Sequence, residues 1–194
     1  MKLSPELQFN TSMEWVKAVL SDLEGFLQDH ADCERKASAM AMSFVAKCPD
    51  KVEIIPELIE TALEEMEHFK MVYQIMEKRG IRLKAEIPKD SYIQQLLALC
   101  RNTPDERLMD RMLLASIIEC RGAERFRLVA ENIIDAELKT FYKMLWISEA
   151  KHGNIFVKMI LNYQDEKEVY ERLDYLVAKE AEICRLLPIR AALH

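Results

Sequence analysis

Two glutamate–histidine pairs stand where helix-forming stretches would be expected to carry apolar residues. Glu65 and His68 are three residues apart in "EMEH", and Glu149 and His152 are three apart in "EAKH". At this spacing, both side chains of a pair lie on the same face of a helix. Apolar residues recur around each pair at steps of three and four, the period of a buried helix face. A buried, uncompensated carboxylate costs several kcal/mol, so each pair needs a positively charged partner.

Two further glutamates, Glu34 and Glu119, occupy buried-face positions in two other helix-forming stretches. The interval from Glu34 to Glu65 is one residue longer than the interval from Glu119 to Glu149. The chain therefore repeats one order, a helix with one glutamate followed by a helix with Glu-x-x-His. We predict that the repeat reflects an internal duplication of a helix pair.

Four glutamates and two histidines that converge in a helical core form a metal site. Two divalent cations would balance the charge of four carboxylates. Oxygen-rich sites with a few imidazoles suit iron or manganese, whereas zinc prefers four-coordinate sites richer in cysteine and histidine. The pattern resembles that of the ferritin-like di-iron and di-manganese proteins. The six predicted ligands are Glu34, Glu65, His68, Glu119, Glu149 and His152.

Two neighbouring residues are candidates for contacts with the ligands rather than with the metals. His30 lies one helical turn before the first ligand glutamate, and we expect it to contact that ligand or to lie in the core. Glu124 lies roughly 140° round the helix from Glu119. It is a weaker candidate for the same role, and we expect it to pair with Arg121 or Arg125.

Capping signals divide the chain into seven helices, with no alternating strand pattern between them. Four long helices, with a longer connection between the second and the third, predict an all-α four-helix bundle with additional short N-terminal, connecting and C-terminal helices. We expect one domain over residues 1–194. The predicted caps are Thr11 and Ser21 (both in capping boxes), Ser91, Thr103, Asp135 and Asp165, and the long helices span about 22–47, 56–79, 103–130 and 135–163, with a last helix ending before Pro188.

Composition narrows the class of protein. Half of the 194 residues are apolar and only four are glycine, as in a helical globular protein. The net charge of -6 argues against generic electrostatic binding of nucleic acid but allows a local basic patch. Five cysteines without a CxxC motif favour a reducing, cytoplasmic location. No apolar run is long enough for a membrane span, and none at the N-terminus reads as a signal peptide.

The sequence motifs around the predicted ligands resemble those of one family, the bacterial tRNA hydroxylases of the MiaE type. These motifs are "DHADCERKA", "EEMEHF", "IIECRGAERF" and "SEAKHG". The resemblance extends from about Leu20 to Tyr163. One departure lies at the last motif, where Lys151 and Gly153 flank His152 instead of the expected arginine and aromatic residue.

The resemblance implies a ferritin-like, di-iron monooxygenase that uses dioxygen as co-substrate. Its members hydroxylate the isopentenyl group of a methylthio-isopentenyl-adenosine next to the anticodon in tRNA. The resemblance also implies two iron ions, with manganese as the alternative metal. No CxxC motif is present, so electrons must come from an external donor of the reductase or ferredoxin type, and we expect a monomer or small oligomer. The alternative is a ferritin-like iron-storage or peroxide-handling protein related to bacterioferritin or rubrerythrin.

A tRNA substrate needs a positive surface. The densest basic segment follows the second long helix, and Lys70 and Lys89 extend it. A solvated helix end explains the same charges equally well. The predicted RNA-binding residues are Lys78, Arg79, Arg82 and Lys84.

Overall fold

The computed structural model describes residues 5–86 and 90–194, and these form seven α-helices and no β-strand. The all-α prediction is confirmed, and Lys89 of the predicted basic segment lies outside the described residues. No helix among them is both long and apolar enough to cross a membrane. The helices are α1 (Met13–Ser21), α2 (Leu23–Lys47), α3 (Ile55–Lys78), α4 (Ser91–Leu97), α5 (Pro104–Asn132), α6 (Ala136–Ile160) and α7 (Glu166–Leu186).

The chain divides into two compact units. The first, which we call the α2–α3 unit, runs from Ala18 to Pro88 and includes Arg190–Leu193. The second, the α5–α6 unit, contains the residues up to Lys17, the chain from Lys89 to Ile189, and His194. In the first unit α2 packs on α3; in the second α5 packs on α6, and α7 packs on both α4 and α5. The expectation of one domain over residues 1–194 stays a prediction.

Aspartates cap four of the helices and correct two predicted caps. Asp22, not Ser21, caps α2 by accepting a hydrogen bond from the Gly25 N–H. Asp90, not Ser91, caps α4. In both cases the sequence reading chose a serine next to a carboxylate that reaches the same N–H groups. The predicted caps Asp135 and Asp165 are confirmed at α6 and α7.

The first capping box is also misplaced. Ser12 directly precedes α1, and its Oγ accepts a 3.4 Å hydrogen bond from the Trp15 N–H. Thr11 instead directs its hydroxyl to Glu124 of α5, a long-range contact that no local pattern reveals. By contrast, Thr103 is the N-cap residue of α5, as predicted, although its hydroxyl bonds the Glu106 carboxylate at 2.5 Å rather than a backbone N–H.

Gly80 ends the second long helix as predicted. Its φ of 70° lies in the left-handed region that glycine tolerates best. The Ile81 N–H returns to the Met76 carbonyl at 2.9 Å and the Gly80 N–H to the Glu77 carbonyl at 3.1 Å. These bonds close the last turn in the way typical of a helix that ends at glycine.

Candidate metal centre

The α2–α3 unit brings three of the predicted ligands together. α2 contributes Glu34, and α3 contributes Glu65 and His68, one turn apart on its buried face. His68 Nδ1 lies 3.5 Å from Glu65 Oε2 and 3.8 Å from Glu34 Oε2. One potential ligand atom from each residue lies within 4.8 Å of the others. All three side chains are buried, so the unit holds two carboxylates and one imidazole in a poorly solvated place.

The α5–α6 unit brings the other three together in the same order. α5 contributes Glu119, and α6 contributes Glu149 and His152. His152 Nδ1 lies 3.0 Å from Glu149 Oε2, and all three residues again offer ligand atoms within 4.8 Å of one another. All three are buried. Each unit thus carries half of the predicted ligand set, one glutamate from its first long helix and a Glu-x-x-His pair from its second.

Serine hydroxyls join the two helices of each unit next to the ligands. In the α2–α3 unit, Ser38 Oγ donates a 2.8 Å hydrogen bond to the Ala62 carbonyl. In the α5–α6 unit, Ser116 Oγ donates a short hydrogen bond to the Gly153 carbonyl. Each serine lies within one helical turn of the glutamate on its own helix. These bonds fix how far one helix can slide or rotate against the other, and so fix the spacing of the ligands.

Gly153 lets α5 and α6 approach closely. A Cβ at this position would lie 2.5 Å from Cys120 Sγ and 3.6 Å from the Ser116 carbonyl oxygen. A side chain here would push α6 away from α5 beside His152. The glycine that departs from the expected family pattern therefore has a packing function, and Cys120 packs between the helices rather than pointing with Glu119.

His30 contacts the predicted ligand Glu34. Its Nε2 lies 2.5 Å from Glu34 Oε1, and its side chain is fully buried. The ring stacks on Phe26, with centroids 6.2 Å apart. This contact fixes the orientation of the Glu34 carboxylate, and a role for His30 beside a metal ligand stays a prediction.

Glu124 forms part of an anchor for the N-terminal segment. Its Oε1 accepts a 2.8 Å bond from the Thr11 N–H, and its Oε2 accepts bonds from the Thr11 hydroxyl and from Arg121 Nη1, each at 2.6 Å. The predicted pairing with Arg121 is confirmed. A role for Glu124 beside a metal ligand stays a prediction.

The sequence analysis did not predict the buried ion pair between Arg121 and Glu180. Arg121 donates to both oxygens of Glu180 of α7, at 2.8 and 3.0 Å, and both side chains are fully buried. Tyr92 and Cys184 also donate to Glu180. Burial and the adjacent carboxylate raise the pKa of the Cys184 thiol to about 12. The sequence did contain a signal for this pair, because Glu180 interrupts the apolar face of α7, just as each predicted ligand glutamate interrupts the apolar face of its own helix.

The predicted RNA-binding residues are exposed at the end of α3 and in the segment that follows it. Lys78, Arg79, Arg82 and Lys84 all face solvent. Gln28 of α2 donates a 2.8 Å bond to the Arg82 carbonyl and holds this segment against its unit. Lys70, which was expected to extend the patch, pairs with Glu67 at 3.0 Å.

Comparisons with known proteins identify the family of the chain. Residues 2–194 match the family described as tRNA-(MS[2]IO[6]A)-hydroxylase (MiaE). A Pseudomonas putida protein named tRNA 2-(methylsulfanyl)-N(6)-isopentenyladenosine(37) hydroxylase is 33% identical over 187 residues, which cover 94% of this chain and 90% of that protein. A protein of the same name from Salmonella typhimurium is 28% identical over 131 residues, 68% of this chain and 47% of that protein.

A solved structure shares the fold. It is described as protein 43 with aldehyde deformylating oxygenase activity from Synechococcus, with a TM-score of 0.91 and 30% identity. The match covers 97% of this chain and 94% of that one. This likeness confirms the ferritin-like, all-α class predicted from the sequence.

Proposed function

Because the chain belongs to the tRNA-(MS[2]IO[6]A)-hydroxylase (MiaE) family, we propose that it is a di-iron monooxygenase that hydroxylates the isopentenyl group of a methylthio-isopentenyl-adenosine next to the anticodon in tRNA. The observation that carries the proposal is the pair of Glu, Glu, His sets, one in each unit, each with converging ligand atoms. The match over the whole chain favours this activity over iron storage or peroxide disposal.

The donor set fits two iron ions. We propose that the two sets act together as one dinuclear centre within a single ferritin-like domain. Four carboxylates neutralise two divalent cations, and one imidazole for each cation is the composition typical of the ferritin-like di-iron and di-manganese proteins. The six proposed ligands supply oxygen and imidazole nitrogen but no thiolate, which favours iron or manganese over zinc. Iron is the proposed metal because the proposed chemistry consumes dioxygen.

The bound iron would activate dioxygen, and the protein would orient the prenyl chain and exclude water from the site. One oxygen atom enters a C–H bond of the prenyl chain, and the other leaves as water with two electrons from an external donor and two protons. In each unit the buried glutamates and histidine hold ligand atoms in a fixed arrangement. His30 keeps Glu34 oriented, and the Ser116–Gly153 bond keeps Glu119 and His152 in register.

The setting of the reaction follows from the cysteines and the substrate. No disulfide joins any of the five cysteines, all of which lie in the described residues. Reduced thiols and a tRNA substrate support a cytoplasmic location. We further propose that an external reductase or ferredoxin-type donor supplies the electrons and that dioxygen is the co-substrate. The protein is proposed to act as a monomer or small oligomer.

Nucleoside analysis of tRNA tests the activity directly. In a strain that lacks this protein, we expect the unhydroxylated methylthio-isopentenyl-adenosine to accumulate and the hydroxylated form to disappear. Expression of the wild-type chain should restore the hydroxylated nucleoside, whereas expression of the Glu149→Ala variant should not. Normal levels of the hydroxylated nucleoside in the deletion strain would refute the proposed activity.

We also propose that Lys78, Arg79, Arg82 and Lys84 contact RNA phosphates. Each phosphate contact adds a salt-dependent contribution to binding, because bound counterions are released. Changing all four residues to Ser should weaken tRNA binding and flatten its dependence on salt. An unchanged affinity and an unchanged salt dependence would remove this segment from the RNA-binding surface and leave the di-iron proposal intact.

A further inference from the structure

The exposed face of α6 carries four lysines. They are Lys139, Lys143, Lys151 and Lys158, and all four are solvent-exposed. At 100° per residue they fall within roughly 120° of the helix circumference, and at 1.5 Å per residue they extend over about 29 Å of its length. We call this set the α6 lysine face. No acidic residue falls within it, since the acidic residues of α6 are Glu137 in the first turn and the buried Glu149.

The lysines of this face differ from most other helical lysines in the chain. On α1, α3 and α7, lysines pair with a carboxylate three or four residues away, as at Lys17–Glu14 (2.7 Å) and Lys179–Glu182 (2.7 Å). Lys70 and Lys167 are paired in the same way. Within the part of the chain that the structure describes, the four lysines of α6 form no ion pair. Their charges are therefore left for an external anion.

The corresponding helix of the other unit has the opposite character. α3 and α6 are the two helices that carry a Glu-x-x-His pair. The exposed side of α3 carries five glutamates, and Lys70 is paired with one of them. These glutamates are Glu57, Glu60, Glu64, Glu67 and Glu77. Two helices with the same ligand pattern thus present opposite charges to solvent, although the whole chain has a net charge of -6.

The lysine face lies on the side of α6 opposite the predicted ligands. Glu149 and His152 lie roughly 180° round the helix from the centre of the lysine face. An anion on the lysine face would therefore not occupy the ligand-bearing side. The diameter of a helix with its side chains is only about 10–12 Å, so a nucleic-acid backbone on this face would lie close to the ligands that α6 contributes.

We propose that the α6 lysine face binds the phosphate backbone of the tRNA substrate. The proposal rests on the proposed function and adds a binding surface to it. A line of unpaired lysines along a helix matches a linear polyanion, and lysine binds phosphate as a flexible point charge. The exposed Met144 and Ile147 lie between the lysines and offer apolar surface to the sugars or bases. The segment Lys78–Lys84 would then be a second, separate contact.

Binding over a salt series tests the proposal. The variant K139Q/K143Q/K151Q/K158Q removes the face, and glutamine preserves helix propensity. Four lost phosphate contacts should make the slope of log Kobs against log salt shallower by about 3. Between 50 and 200 mM salt the variant should therefore lose about 60-fold less affinity than the wild type loses. The measurement uses an unmodified anticodon stem-loop and the full chain.

The matched control removes four paired lysines, Lys17, Lys70, Lys167 and Lys179, by the same change to Gln. It alters the net charge equally and should leave the slope within about one unit of the wild type. Circular dichroism and iron content should be unchanged in both variants. An equal effect of the two variants would mean that only net charge matters and would overturn the proposal.

Two further outcomes separate this proposal from the proposed function. If the wild type binds the stem-loop and the α6 variant binds it with the same slope, the lysine face is not an RNA surface, while the hydroxylase proposal stands on its nucleoside test. If the wild type does not bind the stem-loop, the lysine-face proposal fails, and the nucleoside analysis still decides the proposed activity. If the α6 variant keeps RNA binding but is reduced more slowly by an acidic ferredoxin-type donor, the face serves a protein partner and the RNA proposal is wrong.

Discussion

The α2–α3 unit and the α5–α6 unit carry the same types of predicted ligand in the same order, but these residues have different neighbours in the two units. In the first unit, His30 bonds Glu34 one helical turn away, at 2.5 Å. In the second, the residue one turn before Glu119 is Ala115, which is buried and has no polar side chain. The second unit instead has a close helix approach at Gly153. The same order of predicted ligands in two units therefore does not imply equivalent surroundings, because the groups that contact these residues differ.

The two units also differ in the partners of one buried aspartate in each. In the α5–α6 unit, Asp110 is fully buried and accepts bonds from Arg101 and from Arg172 of α7, three of them at 2.8 Å. In the α2–α3 unit, Asp32 forms ion pairs with Arg35 and Lys36 of its own helix, whose side chains are about half exposed. Asp110 therefore links separate elements of its unit, whereas the ion pairs of Asp32 lie within one helix.

The largest effect is expected from removing one ligand from either unit. Glu65→Ala and Glu149→Ala should each reduce bound iron from about two to about one or fewer per chain and abolish turnover. At a metal concentration of 100 Kd, each bound ion should stabilise the protein by about 2.7 kcal/mol, and a variant should lose this contribution for each ion that it fails to bind. Iron analysis and thermal melts after anaerobic loading provide the measurements.

The adjacent glutamate supplies the control. Glu64 is exposed on α3, next to Glu65 but on another side of the helix. Glu64→Ala should bind iron and melt like the wild type. Full iron binding by both ligand variants would place the metals elsewhere in the protein.

The next effect concerns the two aspartates. Burial by itself raises the pKa of Asp110, but hydrogen bonds from Arg101 and Arg172 outweigh it and hold the pKa below its ordinary value of 3.8. Asp110→Asn should cost about 2 kcal/mol, because Arg172 loses its charged partner. Asp32→Asn should cost less than about 1 kcal/mol, as is usual for pairs with exposed partners. Urea titrations at neutral pH would measure both.

The pH dependence has a definite sign. A lowered folded pKa gives stability that is present above the unfolded value and is lost as pH falls through the folded value. The difference in unfolding free energy between wild type and Asp110→Asn should therefore be full near pH 5 and should shrink as pH falls below 3.8. A difference that stayed constant down to pH 2 would show that the carboxylate charge is not what Asp110 contributes.

A smaller effect is expected from His30, and only on the α2–α3 side. His30→Gln keeps a hydrogen-bonding group but changes its reach, and loss of such an orienting partner typically costs about 10–100-fold in metal affinity. In an iron titration, about one equivalent should weaken and the other should stay tight. His194→Gln, a change at another buried histidine, is the control and should weaken neither. Equal weakening of both equivalents would contradict the asymmetry between the units.

The smallest effect separates two helical glycines of the α5–α6 unit. A Cβ at Gly153 would lie 2.5 Å from Cys120 Sγ, whereas a Cβ at Gly122 meets no atom within 4 Å. Gly153→Ala should destabilise by about 1–2 kcal/mol through overpacking, and Gly122→Ala should stabilise by about 0.5–1 kcal/mol through helix propensity. Thermal or urea unfolding measures both.

A double variant identifies the cause. Adding Cys120→Ala to Gly153→Ala removes the clashing sulfur and should recover most of the lost stability. If the double variant is no more stable than the single one, the helix approach at Gly153 is limited by the Ser116 backbone instead, and the role assigned to Cys120 is wrong.

Local patterns predicted the helices well and their caps less well. Apolar periodicity and the Gly80 stop depend on residues within one or two turns, so α2, α3, α6 and α7 begin and end within a few residues of the predicted bounds. Ser21 and Ser91 were wrong because serine and the neighbouring aspartate compete for the same N–H groups, and backbone geometry decides between them. Thr11 was wrong because Glu124, more than a hundred residues away, binds it.

The sequence by itself determined the class of helices and the six residues whose chemistry suits a metal centre, because helix period and residue type are local properties. Only the tertiary structure decided that Glu34, Glu65 and His68 converge in one unit and Glu119, Glu149 and His152 in the other. It also decided that Cys120 packs against Gly153, that Arg121 is buried against Glu180, and that the four lysines of α6 form no ion pair with any residue that the structure describes. The contacts join residues on different helices, and their free energy depends on distances and burial that no local pattern contains.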